Sequence, residues 1–307
     1  MKHQTPTTCL EIDDLDAASI ERILSNAMVW KTSPERVPQM LDGKGAALLF
    51  EKPSARTRAS TEMAVVTLGG HPIYIRPEEV GLDTRETVED VGRTLAGYTA
   101  LIAARTFAHS TLERIVTVVD KPVINLLSDA AHPCQALADV LTLRELWGSV
   151  EGRRIAFIGD GNNVAASIAF AAALTGLEFA IASPPGYELP DTVVEHARNL
   201  GGTVDVFTEP FDAAEGADVL YADVFTSMGQ EAEREERLAV FSRYRIDDAL
   251  MKAAKPDARF MHCLPAHRGE EVTTEVIDGP QSMIWPQAAN RMDSVRALMV
   301  ELLQGDE

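Results

Sequence analysis

The chain has 307 residues, 46% of them hydrophobic and 24% charged, enough for two globular domains with a buried core. Lys plus Arg number 28 against 47 for Asp plus Glu, a formal net charge of −19. That balance excludes non-specific adhesion to nucleic acid or an anionic membrane, which needs a basic footprint, but allows a small anion held by a local arginine cluster. Three cysteines, Cys9, Cys134 and Cys263, are too few for a disulfide scaffold and suit a reducing cytosol. Glu11, Asp13 and Asp14 precede any apolar run, which fits neither a secretory nor a transit leader. The most apolar stretch, 165–182, is broken by Ser167, Thr175, Gly176 and Glu178, so a cytoplasmic protein without a membrane span is expected.

Short apolar runs alternate with longer amphipathic segments. The first half carries Ala46–Phe50, Pro72–Ile75, Leu101–Ala104 and Pro122–Leu126, and the second Ile155–Ile158, Phe179–Ala182, Val204–Phe207, Val219–Ala222 and Phe260–Leu264. Near-continuous apolar runs without alternation suit strands buried on both faces of a parallel sheet. Helical patterns at 136–147 and 164–174 lie between them, the latter stopped by Gly176. The expected fold class is α/β, two doubly wound parallel-sheet domains of similar size with the active site in the cleft between them. The seam lies near 147–152, giving a first domain of 1–147 plus 287–307, where the last helix returns, and a second of 148–286.

Polar clusters follow the apolar runs, where helix N-termini face a ligand crevice in such sheets. Ser54, Ala55, Arg56, Thr57 and Arg58 follow the first run, where backbone N–H groups, two hydroxyls and two guanidiniums suit a phosphate-like dianion. A capped helix with solvated arginines is the bland alternative. The glycines and Gly-Lys-Ser/Thr ending of a P-loop are absent. Arg105 follows the third run. His132-Pro133-Cys134-Gln135 opens the next helix, with His132 at the cap and Gln135 one turn in, both able to face a carbonyl-sized acceptor.

Gly159-Asp160-Gly161-Asn162-Asn163 invites a dinucleotide reading, but Val164 stands where the third glycine belongs and no acid ends the next strand. The turn reads instead as a device presenting Asn163. Asp223, followed by Ser227, Met228 and Gly229, suits an ammonium beside a carboxylate, as in an amino acid; a turn with a capping serine is the alternative. Cys263, at a strand end, has the position of a nucleophile. A zinc site drawn from His132, Cys134, His262, Cys263 and His267 lacks any standard ligand spacing, and adjacent strand residues such as His262 and Cys263 are expected on opposite faces; no metal is expected.

Together these segments resemble the carbamoyltransferase family, its ornithine-specific members in particular. The resemblance runs from Leu48 to Leu303 and is carried by Phe-Glu-Lys-Pro-Ser-Ala-Arg-Thr-Arg (50–58), Leu-Gly-Gly-His (68–71), His-Pro-Cys-Gln-Ala-Leu-Ala-Asp (132–139), Gly-Asp-Gly-Asn-Asn (159–163), Ser-Met-Gly-Gln-Glu (227–231), His-Cys-Leu-Pro (262–265) and Asn-Arg (290–291). It implies a carbamoyl phosphate site of Ser54, Ala55, Arg56, Thr57 and Arg58 with Arg105, His132, Gln135, Cys263, Leu264 and Arg291. It implies an L-ornithine site of Asn163, Asp223, Ser227 and Met228, with Arg105, His132, Asp223 and Cys263 closest to the chemistry. It further implies homotrimers, alone or in higher assemblies, and no cofactor.

On this reading the neutral δ-amine of ornithine attacks the carbamoyl carbon and phosphate leaves, with Arg58 the expected main phosphate contact and Cys263 a binding group, not a nucleophile. Transfer to another amine (putrescine, aspartate or a modified ornithine), a dinucleotide-dependent oxidoreductase and a non-catalytic homologue are the alternatives. Four places depart from the family pattern: Gly81 stands for a frequent Gln or His that reaches a neighbouring subunit, Asp83 for Gly, Val91-Gly92 for Thr-Ala, and Phe225 for Trp.

Overall fold

The computed structural model describes residues 7–226 and 231–305. Among the described residues, ten strands form two all-parallel sheets. The first contains β1 (Thr8–Cys9), β2 (Gly45–Phe50), β3 (His71–Ile75), β4 (Leu101–Arg105) and β5 (Val123–Leu127) in the order β1-β5-β4-β2-β3. The second contains β6 (Arg154–Ile158), β7 (Glu178–Ala182), β8 (Thr203–Phe207), β9 (Val219–Ala222) and β10 (Arg259–His262) in the order β10-β9-β6-β7-β8. The helices in chain order are α1 (Ala17–Thr32), α2 (Ala55–Thr67), α3 (Pro77–Val80), α4 (Val88–Tyr98), α5 (His109–Val116), α6 (Pro133–Trp147), α7 (Asn163–Thr175), α8 (Asp191–Asn199), α9 (Pro210–Ala214), α10 (Arg234–Phe241), α11 (Asp248–Ala253), α12 (Thr274–Ile277) and α13 (Ile284–Gln304). None of the described helices is long and apolar enough to cross a membrane.

Two compact units result, 1–141 with 289–307 and 142–288. The division runs through α6, whereas the seam read from the sequence lies at its C-terminal end. From Ala289 onward α13 belongs to the first unit.

Residue choice explains the layers. The central strands β2, β4, β6 and β7 are buried almost throughout, as their unbroken apolar runs require. The edge strand β3 alternates exposed and half-buried positions and tolerates Pro72, which cannot donate to a ladder on both sides. In the first unit Ala47, Leu49, Ile102, Ala104, Leu112 and Ile115 form one core cluster; in the second, Ile158, Leu220, Phe225, Phe241, Tyr244 and Phe260 form another. The strand that the sequence did not announce is β1. Its two residues pair with Val123 and Ile124 of β5 and are too few to leave a hydrophobic pattern.

Each sheet has one place where strand order reverses. In the first unit the chain runs from β2 to β3 on one side, then crosses to β4 on the other. In the second it runs from β6 through β7 to β8, then returns to place β9 on the other side of β6. Loops leaving neighbouring strands part at such a point and open a crevice at their carboxyl ends. The polar clusters fall at both points: Ser54 after β2 and Arg105 ending β4, Asn162 after β6 and Asp223 after β9.

Candidate active site

In the first unit, Ser54 caps α2 in extended conformation, its Oγ accepting Thr57 N–H at 3.3 Å and donating to Thr57 Oγ1 at 3.0 Å. Pro133 occupies the first turn of α6, and the His132 carbonyl accepts from Gln135 and Ala136 N–H. Arg291, from α13, spans these two helix starts. One guanidinium nitrogen donates to Gln135 Oε1 at 2.5 Å and another to Thr57 Oγ1 at 3.3 Å. Gln135 is itself held by Asp139, to which its amide donates at 2.7 Å. Arg105 ends β4, where the register against β5 shifts between Ala104 and Arg105. Such an irregularity re-aims a strand end. Arg105, Arg291, His132, Gln135 and Thr57 are all buried.

Electrostatics identify this as a cationic pocket. Burial first, then the charges of Arg291 and Arg105, hold the His132 imidazole well below its ordinary value of 6.5, so it is neutral at physiological pH. Lys52 is likewise pushed down, first by burial and then by Arg105. Cys134, pushed up to about 12 mainly by burial, donates to the Asn125 carbonyl and is a core thiol.

The imidazole of His132 titrates lower in the folded than in the unfolded chain, so the unfolded chain binds the proton first as pH falls. Stability is full above the unfolded value of 6.5 and declines as pH drops below it toward the folded value. His132→Gln should therefore flatten the acid side of the Tm–pH profile; a slope identical to the parent's would contradict burial of a neutral imidazole.

Not every arginine of the 54–58 segment joins this pocket. Arg58 is exposed, pairs with Glu62 at 2.8 Å and stacks on the Tyr74 ring with 3.8 Å between guanidinium carbon and ring centroid. Where the sequence led us to expect the main phosphate contact, an ion pair one helical turn on and an aromatic face from the edge strand hold the guanidinium. Arg56 and Ala55 lie exposed in the first turn of α2.

In the second unit the centre is Asp223, just beyond β9 and 8% exposed. One carboxylate oxygen accepts from Val224 N–H at 2.8 Å and from Cys263 Sγ at 2.9 Å, and the other from Asn162 Nδ2 at 2.8 Å. Asn162 does double duty, since its Oδ1 caps α7 by accepting from Val164 and Ala165 N–H. Asn163 follows as the first helical residue, half-buried. Gly161 is required for packing: a Cβ there would meet Leu189 N at 2.2 Å. The glycine-rich turn is thus explained without a pyrophosphate. Ser227 and Met228 lie outside the described residues.

The expectation that His262 and Cys263 point apart needs correction. β10 ends at His262, which frees Cys263 from the pleat, and ligand atoms of Asp223, His262 and Cys263 all lie within 4.8 Å of one another. The imidazole is already engaged, however. Nδ1 accepts from Leu264 N–H at 2.9 Å, which places the ring proton on Nε2, facing Glu271 Oε1 at 3.2 Å. The Cys263 thiol donates to a carboxylate, an arrangement that keeps the proton on sulfur and disfavours a thiolate nucleophile. Leu264, at φ 59°, carries the chain through a left-handed turn after Cys263.

Asn162 was noted in the sequence beside Asn163 but given no role, and Lys52 in the first unit and Arg237 in the second were passed over. Asn162 orients Asp223, and Lys52 adds a cation near Arg105. Buried Arg237, from α10, donates to the Phe225 carbonyl at 2.6 Å and to Asp160, fixing the segment that follows Asp223. The signal for Asn162 was present in the paired asparagines. Arg237 sits twelve residues from its partner with no motif to mark it.

Residues 8–145 match the carbamoyl-P binding domain of aspartate/ornithine carbamoyltransferases, and residues 151–302 match their Asp/Orn binding domain. The chain belongs to the aspartate/ornithine carbamoyltransferase family. Among its relatives is an ornithine carbamoyltransferase of Methanoculleus marisnigri, 45% identical, the match covering 96% of each chain. An anabolic ornithine carbamoyltransferase of Pyrococcus furiosus is 43% identical over 97% of this chain and 96% of its own. The solved structure of the ornithine carbamoyltransferase from Pyrococcus furiosus superposes with a TM-score of 0.93 at 42% identity, covering 98% of both chains.

Three of the positions noted in the sequence, Asp83, Gly81 and Phe225, have well-defined local surroundings. Asp83 adopts φ 55°, a conformation that glycine takes most readily, and its carboxylate takes two hydrogen bonds from Arg114 of α5. Gly81 is also left-handed, and a Cβ there would lie 3.0 Å from both Arg85 Cβ and Thr84 Oγ1, so the loop closes tightly at this point. Phe225 is buried and stacks on Phe241 with ring centroids 4.9 Å apart.

Proposed function

We propose that the protein transfers the carbamoyl group of carbamoyl phosphate to the δ-amine of L-ornithine, giving L-citrulline and phosphate, and that it does so in the cytoplasm as a homotrimer in arginine biosynthesis. The observation that carries the reading is Asp223, a carboxylate buried at the strand-order reversal of the second sheet and oriented by Asn162 and Cys263. A buried carboxylate there suits an ammonium-bearing acceptor and repels a second carboxylate such as the side chain of aspartate. The names of the relatives support the same acceptor, and the anabolic relative supports the biosynthetic direction.

In this reading Ser54, Arg56 and Thr57 hold the phosphate with the N–H groups of the first turn of α2. Arg105 and neutral His132 bind the carbamoyl oxygen, on which negative charge develops as the amine adds. Arg291 and Gln135 set the two helix starts at fixed separation, and Leu264 joins the carbamoyl contacts. Asn163, Asp223, Ser227 and Met228 hold the α-amino and carboxylate groups of ornithine. The δ-amine attacks neutral, the tetrahedral adduct collapses, and the C–O bond to phosphate breaks as the amine passes its proton to the departing phosphate. Holding two substrates end to end supplies much of the rate.

The test is citrulline formation from carbamoyl phosphate and L-ornithine, with L-aspartate and putrescine as rival acceptors; faster turnover of either rival overturns the proposal. Cys263→Ser is expected to retain measurable citrulline formation, since hydroxyl can replace thiol as donor to Asp223. Complete loss of turnover with substrate binding intact would instead point to a covalent role for sulfur.

A further inference from the structure

Beyond the turn that carries Cys263 lies a second group of ligating side chains that the reaction does not use. His267 Nδ1 stands 3.8 Å from Glu270 Oε2 and 3.9 Å from Glu271 Oε2. One donor atom from each residue lies within 4.8 Å of the other two. Both carboxylates are divided in the same way. Glu271 Oε1 accepts from the backbone N–H of His267 and faces His262 Nε2, while Glu270 Oε1 accepts from Arg234. The remaining oxygen of each, Oε2, is buried without a hydrogen-bond partner, and Glu271 as a whole is 0% exposed.

Separations of 3.8–3.9 Å are too long for hydrogen bonds to the imidazole. Two buried carboxylate oxygens converge on one imidazole nitrogen without a hydrogen bond to it, an arrangement that is costly unless a cation, the protonated ring or a bound ion, joins them. Metal–donor lengths of about 2.0–2.2 Å put the ligands of one tetrahedral ion roughly 3.3–3.5 Å apart, so a closure of about half an ångström brings His267 Nδ1 to ligand distance from each carboxylate. His267, with 46% of its side chain exposed, can supply that movement and leaves an open side for water and for entry of the ion. One imidazole and two carboxylates suit a divalent first-row transition cation better than magnesium or calcium, which prefer all-oxygen shells.

We propose that His267, Glu270 and Glu271 form a binding site for a divalent transition-metal cation, separate from the Asp223–Cys263 pair. The far oxygen of Glu271 faces His262, whose Nδ1 holds Leu264 N–H, so an occupied site clasps the 262–271 turn from behind. The site does not depend on which amine the enzyme carbamoylates.

The test is a titration of the metal-free, full-length protein with Co2+, read by visible absorption and by Tm. The expected result is one Co2+ per chain, d–d bands without sulfur-to-cobalt charge transfer, and a rise in Tm. Cys263→Ser should bind Co2+ as the parent does, whereas His267→Ala, a change at the surface, and Glu270→Gln should each weaken binding by about tenfold or more. Absence of binding, unchanged affinity in His267→Ala, or a thiolate charge-transfer band that disappears in Cys263→Ser would each overturn the proposal.

Discussion

Replacing Arg105 by Ala is expected to lower kcat/KM for carbamoyl phosphate by about 10³-fold, or about 4 kcal/mol of transition-state stabilisation. Arg105 is buried at the end of β4, beside a neutral imidazole and near the buried Arg291. In such a place its charge is poorly screened, and it meets the oxygen on which charge develops. Arg105→Lys should recover part of the loss, because a point charge returns without the planar fork. Arg58→Ala should cost less than about tenfold, since the Arg58 guanidinium is exposed and already taken by Glu62 and Tyr74. Steady-state kinetics with carbamoyl phosphate varied at saturating ornithine, with circular dichroism to verify folding, decide the matter. A loss in Arg58→Ala equal to that in Arg105→Ala would place the phosphate elsewhere than proposed.

Asp223→Asn should reduce kcat/KM for ornithine by about 10²–10³-fold, the range for truncating one partner of a buried charge pair. The affinity for carbamoyl phosphate should stay near that of the parent. The substitution keeps the shape and removes the charge. It also turns one oxygen into an N–H donor, which then faces the Cys263 thiol, the Val224 N–H or the Asn162 amide. Asn162→Ala should reproduce a smaller part of the effect, about tenfold, because it frees the carboxylate without neutralising it. Isothermal titration with ornithine or a phosphonate–ornithine mimic measures both. Equal losses for the two substrates in Asp223→Asn would show that the change had disturbed the fold and not the acceptor end.

The α/β architecture, nine of the ten strands and the starts of α2, α6 and α7 were legible from residue order alone. Double-sided burial writes an unbroken apolar run, and a cap writes Ser, Asn or Pro at a fixed offset from the helix. These are local requirements, so a local reading finds them. The strand-end position of Arg105, His132, Asp223 and Cys263 followed from the same logic.

What the chain order could not reveal is pairing across distance. Whether Arg58 or Arg291 turns toward Thr57 depends on Tyr74 in a neighbouring strand and on a helix more than two hundred residues later. Which of two adjacent asparagines meets Asp223 depends on where α7 begins. Whether His262 and Cys263 diverge depends on β10 ending between them. Patterning and capping are properties of neighbours along the chain and are present in the sequence itself. The direction of a long polar side chain is set by competing partners that only the folded backbone brings within hydrogen-bond reach.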